Sequence, residues 1–139
     1  MLAKVTLSFI SIFFGWAAGL LYFIVALSLV IRQGITDLAV ILGWTAFFVV
    51  IAWFIFILPL IFVVPETSKL FSLRVCPLFG AFYGLIVFLL LVGWWTGLWA
   101  ESLYLGYALI IGLVTGASYS GLLYLRTKKL GGISKRRAA

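Results

Sequence analysis

Four stretches of this chain carry no charge at all: residues 5–31, 38–65, 75–100 and 102–125, running 27, 28, 26 and 24 residues. An α-helix rises about 1.5 Å per residue, so about 20 residues cross the roughly 30 Å hydrocarbon layer of a bilayer. Each stretch is long enough to cross once as a helix and too short to cross twice. Strands of a membrane barrel would alternate apolar and polar residues over about 10 positions. The run from Phe47 to Phe54 does not alternate. The reading is an all-α integral membrane protein, a four-transmembrane-helix bundle with spans at about 5–31, 38–64, 75–98 and 102–125.

Composition closes the alternatives. Hydrophobic residues make up 66% of the 139 and charged residues 9%, and mean hydropathy is +1.33. Soluble domains carry about 25% charge, so there is too little here to cover a water-facing surface. Disordered chains are poor in apolar residues, which this one is not. Lys4 ahead of an apolar run resembles a signal peptide, but signal cores run about 7–15 residues and this one runs 27. It is read as an uncleaved first span.

The basic residues orient the bundle. With four spans, both termini and the loop between the second and third spans share one side. That side holds Lys4, Lys69, Arg74, Arg126, Lys128, Lys129, Lys135, Arg136 and Arg137, whereas the other holds Arg32 alone. Lysine and arginine accumulate on the cytoplasmic side. Both termini are therefore expected in the cytoplasm, and the plasma (inner) membrane is the expected location. Residues 1–125 read as one transmembrane domain and 126–139 as a basic cytoplasmic tail. Such a tail attracts anionic headgroups; without interleaved aromatics it gives no reason to expect nucleic acid. Trp94, Trp95, Trp99, Tyr104 and Tyr107 flank the turn near Glu101 and read as an interfacial aromatic belt.

Small residues recur at the spacing of close helix contacts. Gly15 and Gly19, Gly80 and Gly84, Gly93 and Gly97, and Gly112 and Gly116 each form G-x-x-x-G. Residues four apart share a helix face, and glycine lets two backbones approach. The pairs at 15/19, 80/84 and 112/116 are assigned to helix packing, within one chain or between copies. Gly93 and Gly97 fall in a turn and are the weakest pair. Thr115, on the same face as Gly112, has a hydroxyl for hydrogen bonding across such a contact. The second stretch differs: Trp44, Phe47, Phe48, Trp53, Phe54, Phe56 and Phe62 spread bulk around it, which suits a lipid-facing position. Pro59 lacks an N–H and is expected to bend that helix near its cytoplasmic end.

The chain is poor in the groups that do chemistry. Histidine is absent and Cys76 is the single cysteine, so a histidine-ligated metal, a Ser-His-Asp triad and a disulfide within the chain are excluded. No ionisable side chain of the kind that couples proton transport lies within a stretch. Asp37, Glu66 and Glu101 fall in three different loops, and only Asp37 and Glu101 share a side. Cys76, beside Arg74, has the juxtamembrane placement of an acylation site, although a lone cysteine there more often fills space. The expectation is a protein that is no enzyme and holds no cofactor or metal. It would be an accessory subunit of a larger membrane complex or a homo-oligomeric scaffold. The alternative is a channel or carrier for an uncharged or lipid-like solute.

Overall fold

The structure is a computed structural model that describes residues 2–31, 38–65, 68–93, 97 and 102–137, with backbone only at 27, 30, 31, 38 and 129–137. Among these residues there is no strand. Helix α1 is Leu2–Ile31. Helix α2 comprises α-helical Leu38–Ala52, a π-helical turn at Trp53–Ile57, and α-helical Leu58–Val63. A short 3-10 turn, Lys69–Phe71, precedes α3. Helix α3 is α-helical over Val75–Phe88 and π-helical over Leu89–Gly93. Helix α4 is Ser102–Arg137. Apolar segments of 25, 25, 19 and 27 residues within them are long enough to cross a membrane.

Helix α4 is the centre of the bundle. It packs along its length on α1 on one side and on α3 on the other. Helix α2 lies outside this trio, against α1, and buries only Ile61 among its described side chains. Trp44, Phe47 and Phe54 of α2 are exposed. At one end all four helices meet: Ile61, Cys76, Tyr119 and Leu123 form a buried cluster, with Leu7, Ile57 and Phe71 packed on it. This is the end that carries the chain's N-terminus and the turn between α2 and α3.

Pro59 does not interrupt α2. The missing N–H and the clash of its ring with the carbonyl four residues earlier are accommodated upstream by the π turn, where the N–H of Leu58 bonds to Trp53 five residues back. At the end of α3, Gly97 takes a left-handed φ of 72°. Its N–H bonds to the Gly93 carbonyl at 3.1 Å, the helix-ending hydrogen bond that a left-handed glycine permits. Gly93 and Gly97 are therefore joined by a helix-ending hydrogen bond, and a β-carbon added at Gly97 would meet nothing within 4 Å among the described residues. The basic C-terminal segment continues α4 as helical backbone to Arg137.

Candidate functional site: a cleft between the second and third helices

The site is framed first by a glycine seam. A β-carbon added at Gly80 would strike the Gly112 carbonyl, and one at Gly112 would strike the Gly80 carbonyl. The register continues in four-residue steps down the antiparallel pair. Gly116 lies on the Cys76 carbonyl, and Gly84 lies 2.9 Å from both the Ala108 carbonyl and the Gly112 Cα by the same measure. On its other flank α4 meets α1, where a β-carbon at Gly15 would strike Thr115 Oγ1 and approach the Ile111 carbonyl at 2.6 Å. One at Gly19 would come within 2.5 Å of Ile111 Cγ1 and 3.0 Å of the Tyr107 ring. At each of these six positions an added β-carbon would meet atoms of another helix of the same chain. Thr115 Oγ1 is buried where a β-carbon at Gly15 would stand, with no hydrogen-bond partner among the described residues, so what it offers α1 is close packing on a glycine.

Helix α2 is held differently, by hydrogen bonds from ring groups. The Trp53 indole N–H donates to Ser8 Oγ at 3.0 Å, and the Trp16 indole N–H donates to Thr45 Oγ1 at 3.1 Å. Ser8 and Trp16 are eight residues apart on α1, and Trp53 and Thr45 are eight apart on α2. The two bonds therefore sit at matching levels of an antiparallel pair, about 12 Å apart. A third bond reaches from α3: the Tyr83 hydroxyl donates to the Phe56 carbonyl at 3.0 Å. That carbonyl belongs to the π turn, where the regular i to i+4 ladder is interrupted. Sequence patterning treated Trp53 and Phe56 as apolar bulk. The missed signal was the pairing of indole donors with hydroxyls at equal spacing on consecutive helices.

Beyond these bonds α2 and α3 do not pack along their lengths. They flank a cleft of about 590 Å³ whose floor is α1 and α4. It runs from Ile61, Phe71 and Cys76 at the closed end to Val40, Leu91 and Tyr104 at the other. Among the described residues, no charged side chain lines it. Apart from Tyr104 at the far end, its hydroxyl-bearing residues are turned to other uses. Ser8, Ser11 and Thr45 donate to the carbonyls of Val5, Leu7 and Ile41 on their own helices, at 2.8, 2.7 and 2.7 Å. Tyr83 is committed to Phe56, and the oxygens of Tyr107, Thr115 and Tyr119 are buried out of reach of the open space. What the cleft presents is hydrocarbon.

Tyr104 and Tyr107 both pack on Phe23 of α1, at ring-centroid distances of 5.7 and 5.8 Å, and both line the cleft. Trp94, Trp95 and Trp99 lie outside the described residues, as do Asp37, Glu66 and Glu101. Cys76 is buried beside Ser120 and under Gly116, so an acylating enzyme would have to part α3 from α4 to reach it. No protein family, no curated protein and no solved structure matches the chain.

Proposed function

We propose that this chain is a non-catalytic integral membrane protein whose cleft between α2 and α3 takes up an uncharged, lipid-like molecule. Its four helices span the plasma (inner) membrane with both termini in the cytoplasm. The cleft is the observation that carries the reading. Its 590 Å³ falls within the roughly 300–1,000 Å³ of small-ligand cavities. A membrane-spanning helix about 10 Å wide and 30 Å long fills roughly 2,400 Å³, so the space suits an extended hydrocarbon chain and not a partner's helix. A charge-free wall disfavours an ion or a charged solute, whose desolvation nothing would offset. The turned-away hydroxyls argue against a water-filled channel.

Packing by the glycine seam supports the same picture. In lipid, burying apolar side chains brings no hydrophobic gain, so close backbone approach and hydrogen bonds must hold helices together. Gly15, Gly19, Gly80, Gly84, Gly112 and Gly116 supply that approach for α1, α3 and α4. Helix α2, held by three hydrogen bonds, is left free to border an opening. The basic segment from Arg126 onward would sit on anionic headgroups, at about 1 kcal/mol per charge.

A second reading, the accessory subunit or homo-oligomeric scaffold, draws on the exposed Trp44, Phe47 and Phe54 of α2. The six seam glycines already meet other helices of the chain, so a partner would meet apolar bulk such as these α2 rings instead.

Native mass spectrometry of the detergent-purified protein, supplied with phosphatidylcholine, tests the cleft. Wild type should retain one lipid. Leu91→Trp on the α3 wall, and separately Ile41→Trp on the α2 wall, should abolish retention while leaving helical content unchanged. Equal retention in wild type and both variants would rule the cleft out.

A further inference from the structure

The cleft is open to the side, and one hydrogen bond crosses it. Floored by α1 and α4, it faces outward through the gap between α2 and α3, and the bond from Tyr83 to the Phe56 carbonyl spans that gap at 3.0 Å. Tyr83 is half-buried and stacks on Phe79 with ring centroids 5.6 Å apart. It therefore belongs to the rim and not to the floor. Lining residues lie on both sides of the crossing: Leu60 and Ile61 toward the closed end, Ile41 and Thr45 toward the other.

The acceptor end of the crossing is a weak point in α2. A π turn with a proline two residues beyond it lacks the regular ladder, and segments of that kind are where helices flex. The rest of α2 adds little restraint, because Ile61 is its one buried side chain among those described.

We infer that the Tyr83–Phe56 hydrogen bond is a strap holding the acyl chain of a bilayer phospholipid in the cleft, the chain entering and leaving sideways between α2 and α3 when the bond opens. The inference rests on the cleft being the lipid site proposed above. An acyl chain is the occupant because, apart from Tyr104 and Trp44 toward the far end, the polar groups of the described wall are committed or buried away, so a ligand's polar portion has nothing to meet along the rest of the cleft. The head of the lipid stays outside, at the membrane surface. Sideways entry follows from the layout: the gap between α2 and α3 faces the hydrocarbon from which the chain comes, and no polar barrier intervenes.

The test is the rate at which bound lipid exchanges. Protein carrying one phosphatidylcholine is mixed with an excess of chain-deuterated phosphatidylcholine, and replacement is followed by native mass spectrometry. Tyr83→Phe keeps the ring and removes the donor. It should still carry one lipid but exchange it about fivefold faster, the factor that one neutral hydrogen bond is worth. Exchange at the wild-type rate in Tyr83→Phe would overturn the strap while leaving the cleft standing. Failure of wild type to carry any lipid would overturn the cleft reading, and this one with it.

Discussion

The indole N–H of Trp53 on α2 donates to the hydroxyl of Ser8 on α1 at 3.0 Å, and that hydroxyl gives its own proton to the Val5 carbonyl at 2.8 Å. Ser8 is 1% exposed. It ties to α1 a helix that buries only Ile61 among its described side chains.

This arrangement makes the two partners unequal. Removing Ser8 strands a donor in apolar surroundings, whereas removing the indole leaves a serine still bonded to its own helix. Ser8→Ala should destabilise the protein by about 1–3 kcal/mol. Adding Trp53→Phe to Ser8→Ala should recover part of that loss, since no donor is then left over. Unfolding in mixed micelles with rising dodecyl sulfate gives both values. Strictly additive losses would show that the bond carries no coupling.

The glycines divide by what surrounds them. At Gly112 an added β-carbon meets the Gly80 backbone, which has no side-chain freedom to yield, while at Gly121 it meets nothing within 4 Å. Gly112→Ala should cost about 1–3 kcal/mol by overpacking. Gly121→Ala, a helix-interior position with open space, should be neutral or stabilising by up to about 1 kcal/mol through helix propensity. The same unfolding assay distinguishes them, and equal effects at the two positions would contradict the seam.

The proposed orientation rests on the distribution of basic residues, nine against one across the two sides that four spans would define. A reporter that is active only in the cytoplasm should give signal when fused after Ala139 and none when inserted beside Glu101. The reverse pattern would invert the bundle.

A cleft that takes hydrocarbon needs no acid or base. Replacing Asp37, Glu66 and Glu101 together by their amides should leave lipid retention and the lipid exchange rate at wild-type values, as read by native mass spectrometry. A loss of retention with normal membrane insertion would point to a carboxylate in the mechanism.

Much of the bundle was legible in one dimension because its causes are one-dimensional. Helix number and span length follow from the positions of 13 charged residues along the chain, since a charge is costly in hydrocarbon and a helix has a fixed rise. The candidate contact faces could be written down too, because residues four apart must share a side of a helix. Spacing could not say which helix each face would meet. That Gly80 lies on Gly112, and that α4 and not α1 stands in the middle, depends on how two particular surfaces fit when brought together. Pro59 gave notice of a disturbance in α2 but not of its form, since a bend and a π turn relieve the same clash. The cleft left no mark in the sequence. It exists because α2 is drawn to α1 by Trp53 and Trp16 and touches α3 through Tyr83 and Phe56, and a gap between two helices is a property of their separation, which no residue carries by itself.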